Sequence, residues 1–394
     1  MNTQYTIIKP EMIAWARKRI GAGIDVFASR MNVSSERVKE WEAGKKEITM
    51  NQAKRLASLA LLPLGVLFLD EVPLDRVVLP DFRTVKSSPL SNPSPELEAI
   101  ILEMQEKQEW LRDYLIENNY DELSFVGSIT TQTSVSDTVN RIQEIVGLSQ
   151  KQKERCQKWE DYFNLLVERI EDAGVTVIRS GIYGNDTHRP LNVEEFRGFV
   201  LADSYAPLIF INGSDSRNAQ MFTLVHEFVH IMLGKEGVSN FSLMSSSQNN
   251  VEQYCNKVAA EFLVPGSNLI EQCKAMPQDA QSIERHLHVL SKNYMVSTLV
   301  LISRCRELGI INSDLAQRLW DKDIAIILSN KARSGGHGSF FANLRQRVGR
   351  NFARIVIAET AANNITYQDA FRLLRVKNTE GLVKLSQEVG LPIL

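Results

Sequence analysis

Apolar residues recur at helical spacing through the first seventy positions. Ile13, Ala16 and Ile20 are followed by Val26, Phe27 and Met31. Val38 and Trp41 come next, then Ala53, Leu56, Ala57 and Ala60. Breaks at Gly21 and Gly23, at Asn32-Val33-Ser34 and at Gly44 divide the stretch into about five short helices. From 71 to 95 the period is lost among Pro73, Pro80, Pro89, Pro93 and Pro95, which predicts a linker. Between 96 and 320 two periods alternate. Residues 99–117 and 139–173 read as helices. Residues 175–178, 198–202 and 206–212 read as strands, the last ending at Asn212-Gly213. Helices follow over 215–233, 249–263, 279–294 and 297–307. After the Gly-rich run at 334–338 the pattern is helical again, with 340–362 as one amphipathic helix carrying Arg345, Arg347, Arg350 and Arg354. No internal repeat is present. The expected class is α+β and mostly helical. Its parts are a five-helix domain at 1–70, a linker at 71–95, a mixed domain with a small sheet at 96–320, and a helical interaction domain at 321–394.

Composition narrows the function classes. The chain has 394 residues, 44% hydrophobic and 23% charged, too long for one ordinary core and typical of globular proteins. Its longest apolar stretches, 56–69 and 294–302, are too short or interrupted for a membrane span, and the start does not read as a signal peptide. Cys156, Cys255, Cys273 and Cys305 form no CxxC pair, which suggests a reducing, cytoplasmic setting and no membrane partner. Net charge is −2 but uneven. Residues 1–60 hold eleven Lys/Arg against six Asp/Glu, and 331–375 hold eight against two. Such ends suit nucleic acid, or are simply solvated helical faces.

The sharpest chemical signal is His226-Glu227-Phe228-Val229-His230. Two His four residues apart on a helix present both imidazoles on one face. That pair binds a tetrahedral Zn²⁺, and the glutamate after the first His is placed as general base. Phe222, Leu224, Val225, Phe228, Val229, Ile231 and Met232 make the helix apolar all round, so it must be buried. Buried His and Glu need partners, which a metal supplies. A catalytic zinc also needs a third protein ligand. Glu236 is too close, in the turn after the motif. On the next helix Glu252, Cys255, Asn256 and Ala259 share a face, which favours Glu252 as ligand and Asn256 as a hydrogen-bonding support for a ligand His. Glu261, off that face, is the alternative. Cys255 reads as a small buried residue.

Several segments together resemble the ImmA/IrrE family of zinc endopeptidases: Glu195-Phe-Arg-Gly-Phe199, 207–212, 222–234, 252–265 and the upstream Leu79-Pro-Asp-Phe-Arg-Thr84. The resemblance covers about 75–310. It implies a gluzincin-like site with His226, His230 and Glu252 as zinc ligands and Glu227 as base. It also implies that the strand Ile209-Phe-Ile211 lies near the cleft and pairs with an extended substrate. Members of the family cleave particular repressor proteins. A donor to the oxyanion is usual in such sites, and His288, Tyr294 and Arg197 are unranked candidates.

The first segment resembles XRE/Cro-type helix-turn-helix domains through Phe27-Ala28-Ser-Arg-Met31-Asn-Val33-Ser34 followed by Val38, Trp41 and Gly44. Asn32 stands where Gly is usual, and Ser34 is placed to cap the next helix. Ser35, Glu36, Arg37 and Lys39 would then face the major groove, with Lys45 and Lys46 near phosphates. The reading is a regulatory zinc endopeptidase that cleaves a specific protein, a repressor or toxin encoded nearby, and is targeted through DNA, with a homodimer possible. The alternative is a helix-turn-helix transcriptional repressor, or the antitoxin of a toxin–antitoxin module, whose peptidase-like domain mainly grips its partner.

Overall fold

The computed structural model describes residues 5, 6, 8–73, 93–148, 150–156, 158–239, 249–274, 276, 279–331 and 340–391. Most of the predicted linker and the segment 79–84 lie outside the described residues, as does the run 334–338. The chain is mostly helical with a small sheet, an α+β composition. It divides into two compact units, residues 1–80 with 90–104, and 81–89 with 105–394.

The first unit holds β1 (Tyr5–Thr6), α1 (Pro10–Arg19), α2 (Ile24–Met31), α3 (Ser35–Glu42), β2 (Ile48–Thr49) and α4 (Met50–Ala60), then a 3-10 turn at Leu64–Phe68. Its core takes most of the apolar set read from the sequence, with Ile13, Phe27, Met31, Val38, Trp41 and Leu56 buried, Ile20 partly buried and Val26 turned out to 52% exposure. Asn32 ends α2 in the left-handed conformation (φ 57°), which an Asn tolerates better than most residues. The Ser34 side chain accepts a hydrogen bond from the Arg37 amide at 3.2 Å and so starts α3. Arg17 grips Glu42 with both arms of its guanidinium, at 2.6 and 3.1 Å, tying α1 to α3.

The boundary between the units falls within α5 (Pro95–Glu117). In the second unit follow α6 (Val135–Val146), α7 (Gln150–Arg155), α8 (Trp159–Asp172), β3 (Thr176–Ser180), β4 (Gly198–Leu201), β5 (Leu208–Asn212), α9 (Arg217–Leu233), β6 (Gly237–Ser239), α10 (Asn250–Leu263), α11 (Gly266–Cys273), α12 (Ala280–Tyr294) and α13 (Thr298–Glu307). After these come α14 (Ser313–Lys331), α15 (Phe340–Val348), α16 (Arg350–Ala361), α17 (Tyr367–Leu374) and α18 (Thr379–Glu388). The sheet order is β3-β5-β4-β6, with β3 parallel to β5 and the other pairs antiparallel. The apolar helix α9 packs on β4 and β5 and is covered by α10, so every residue from Gln220 to Leu233 is buried.

Three expectations are corrected. The 139–173 stretch is not one helix, because Gly147 takes a left-handed conformation (φ 58°) and ends α6. The 340–362 stretch breaks at Gly349 (φ 81°), where a Cβ would press on Thr176 Cγ2 at 3.2 Å. The strand Ile209–Ile211 is not available to an added substrate strand, because β5 is central and both of its edges are hydrogen-bonded, to β3 and to β4.

Glu171, at the end of α8, anchors the last helices to this unit. Its carboxylate accepts the Arg350 amide at 3.0 Å and its carbonyl accepts Asn351 Nδ2 at 2.9 Å, at the start of α16. Burial pushes the carboxyl up from 4.5 to about 7, against the pull of those bonds. The folded chain therefore holds this proton more tightly than the unfolded chain. The resulting stability is complete below pH 4.5 and is lost as pH rises through 7. At high pH the loss amounts to about 3 kcal/mol. Glu171→Gln, isosteric and neutral, is expected to flatten the stability–pH profile between about pH 5 and 8. At the upper end of that range it should raise the urea midpoint above wild type. A variant that keeps the wild-type slope would assign the effect to another group.

Candidate metal centre

Two helices bring the site together. Ser216 caps α9 by accepting the Ala219 amide at 3.3 Å, and Gly234 (φ 62°) closes its far end. Asn249 caps α10 by accepting the Val251 amide at 2.9 Å, which puts Glu252 in the first turn, facing α9. His226 Nε2 and His230 Nε2 lie 3.1 Å apart. Each is 3.2 Å from a carboxylate oxygen of Glu252. All three residues are buried. A tetrahedral zinc with bonds of about 2.0–2.1 Å separates its ligands by roughly 3.3 Å. The triangle of donors has nearly those edges. Among the described residues these three make up one of two groups of His, Cys, Asp and Glu close enough to share an ion.

The electrostatics suit a divalent cation. Burial lowers the pKa of His226, keeping it neutral and able to donate a lone pair. Burial alone would push the Glu252 carboxyl up, but the hydrogen bonds and charges of His226 and His230 hold it well below the ordinary carboxylate range. Burial alone would lower His230 as well, but the charge and hydrogen bonds of Cys255 and Glu252 raise it well above its ordinary value, so a cation would bind there in exchange for a proton. Two imidazoles beside a carboxylate, once that proton is given up, are a zinc donor set. Asn256, one turn beyond Glu252, lies within hydrogen-bonding reach of His226, and Cys255 of His230. Both are placed to orient the rings. Glu261 is engaged elsewhere, in an ion pair with the buried guanidinium of Arg304 and on the Gly266 amide at 3.1 Å.

Glu227 points from the same helix toward the sheet and is fully buried. Its recess exists because residue 198 has no side chain. A Cβ there would stand 3.1 Å from Glu227 Oε1 and 2.5 Å from Thr223 Cγ2. Gly198 sits inside the quoted Glu195–Phe199 stretch, but its role was not legible without the β4–α9 contact. Gly198→Ala is expected to destabilise the fold by about 1–3 kcal/mol, the usual range for overpacking. It should also slow any reaction that uses Glu227. Chemical denaturation with wild-type stability would refute the close packing.

The remaining candidates have surroundings of their own. Arg197 is bonded to Asp215 at 2.6 Å. Tyr294 sits by Cys273 and Cys305, and burial, helped by those two neighbours, raises it to about 12. His288 stands 4.0 Å from both Glu284 and Asp323. On α3 in the other unit, Glu36 and Lys39 are exposed and Arg37 is half-buried against Glu40 at 3.5 Å. Ser35 donates to Asp25 at 2.6 Å, Lys45 is exposed after the helix, and Lys46 reaches Glu40 at 3.1 Å.

Residues 170–306 match the family model described as the IrrE N-terminal-like domain, and so carry a domain of the ImmA/IrrE peptidase type. That span contains His226, Glu227, His230 and Glu252 and points to a metallopeptidase class. Residues 348–388, from α16 to α18, match a domain of unknown function (DUF8813). No curated protein and no solved structure matches the chain. Among the described residues no helix is long and apolar enough to cross a membrane.

Proposed function

We propose that the second unit is a regulatory zinc endopeptidase that cleaves a specific protein. The observation that carries this reading is the buried triangle of His226, His230 and Glu252 with the Glu227 carboxylate on the next residue of the same helix. His226, His230 and Glu252 would hold the ion, and Asn256 would steady His226. Zinc, when bound, supplies Lewis-acid activation of water and of the scissile carbonyl. Glu227 accepts the proton of the attacking water and returns it to the leaving amine. The narrow recess around Glu227 limits its rotamers. Because β5 is paired on both sides, substrate is gripped elsewhere than along that strand.

The first unit is read as a helix-turn-helix module that targets DNA, or a repressor on DNA, with Ser35, Glu36, Arg37 and Lys39 of α3 facing bases and Lys45 near phosphate. Its own apolar core, the tight α2–Asn32–α3 turn and the exposed Lys39 and Lys45 support that reading. The same features favour a second reading, a DNA-binding repressor or antitoxin whose peptidase-like part mainly grips its partner. The two differ in one measurement. New protein N-termini should appear when the purified zinc-loaded chain is added to its own cell lysate, and should be absent with Glu227→Gln. A set of N-termini identical for both proteins would refute the peptidase and leave the second reading. For DNA, Arg37→Ala with Lys39→Ala is expected to weaken binding and to reduce the salt dependence by about one to two ion equivalents. Retention on genomic fragments that is indifferent to both changes would refute DNA contact through α3.

A further inference from the structure

Away from the metal triad, the second unit contains a cavity of about 330 Å³ bounded by α8, β3, α15, the start of α16 and the turn after α18. Phe163, Val177 and Val389 give it an apolar wall. Three guanidiniums, those of Arg179, Arg345 and Arg350, line the rest together with Glu168, Glu171 and Glu388. Arg350 is already neutralised by Glu168 at 3.0 Å. The other two have no carboxylate at ion-pair distance among the described residues. Arg179 donates to the amide oxygens of Gln220, at 3.2 Å, and of Gln346, and lies 5.2 Å over the ring of Phe163. Arg345 reaches only the backbone carbonyl of Glu388, at 3.4 Å. Burial lowers the pKa of Arg179, a sign that its charge is poorly solvated. Glu171 lines the same cavity but spends its carboxylate on the Arg350 amide.

Glu160 acts on Arg179 only at longer range, so both guanidiniums keep N–H donors that no carboxylate of the described residues takes up at ion-pair distance. The volume is at the lower end of small-molecule sites. Guanidinium forks match flat or tetrahedral oxyanions through paired N–H donors. We propose that this cavity binds a small organic anion, with Arg179 and Arg345 taking its carboxylate or phosphate and the Phe163 side receiving its apolar body. Neither the peptidase reading nor the metal enters this inference. The site has a direct line to α9, because Gln220 lies six residues before His226 on that helix and its other amide atom holds the Gly213 and Asp215 carbonyls at 3.3 and 2.8 Å. A ligand that draws Arg179 away from Gln220 acts on the start of the metal-site helix.

The test is calorimetric titration of the full chain with benzoate, phenyl phosphate and, as the uncharged control, benzamide. At least one anion is expected to bind saturably and benzamide to fail. The anion that binds tells a carboxylate site from a phosphate site. Arg345→Met should weaken binding about tenfold, the loss of one charge-assisted hydrogen bond. Arg179→Met should remove binding, and the half-exposed Arg345 keeps the test decisive if that variant does not fold. The proposal is overturned if neither anion binds, if benzamide binds as well as the anions, or if Arg345→Met binds like wild type.

Discussion

Glu227→Gln is expected to slow peptide-bond cleavage by about a hundredfold to ten-thousandfold while the zinc content stays at the wild-type level. Glutamine matches glutamate in volume, so it fits the recess left by Gly198 without pushing on Thr223. It does not coordinate in place of His226, His230 or Glu252, which are untouched. What it loses is the ability to accept a proton. The quantities to compare are the turnover of a mapped substrate and metal content by elemental analysis. Equal turnover would remove Glu227 from the chemistry. A fall in zinc together with activity would make it a structural residue of the centre instead.

The second large effect separates two glutamates on one helix. Glu252→Ala removes one corner of the donor triangle and is expected to weaken zinc binding by well over a hundredfold, beyond the ten- to hundredfold typical of supporting residues. Glu261→Ala should leave zinc binding intact and unfold the protein more easily. Its loss takes from Arg304, only 5% exposed, one of two carboxylate partners, Glu307 remaining at 2.7 Å, and removing a charged hydrogen bond of this kind costs about 1–3 kcal/mol. Competition titration with a chromophoric chelator reads the first quantity and urea denaturation the second. Unchanged zinc affinity in Glu252→Ala would exclude it as a ligand.

The closeness of His226, His230 and Glu252 was legible because their segments obey local rules. The i, i+4 spacing of His226 and His230 and the all-round apolar character of their helix are properties of single segments. The face of one helix predicts Glu252 rather than Glu261 beside the two His, and Glu261 pairs instead with Arg304. Features that need two distant segments stayed hidden. The recess for Glu227 depends on the meeting of β4 with α9, and the central position of β5 on the order in which strands assemble. β6 and the β1–β2 pair were missed because two or three residues are too few to show a period. The break at Gly349 was hidden inside an unbroken amphipathic pattern, and its cause is the approach of Thr176 and Val177 from another part of the chain. The cavity of arginines was invisible for the same reason, since α8, β3, α15 and α18 each supply a fragment of it.

The bond between Glu171 and the start of α16 bears on what can be handled as a separate piece. The stretch recognised by family similarity begins at residue 170 and ends at 306, yet Glu171, at its very edge, is satisfied by amides 179 and 180 positions away. Chain cut after residue 331 would present a bare carboxylate and the apolar flank of β3 to water, the surface on which α15 and α16 now rest. Such fragments are sticky and are digested quickly. The unit of recognition in sequence is therefore smaller than the unit that survives alone, and a protease laid on the intact chain should spare the 350–391 helices for as long as it spares the metal-site helix itself.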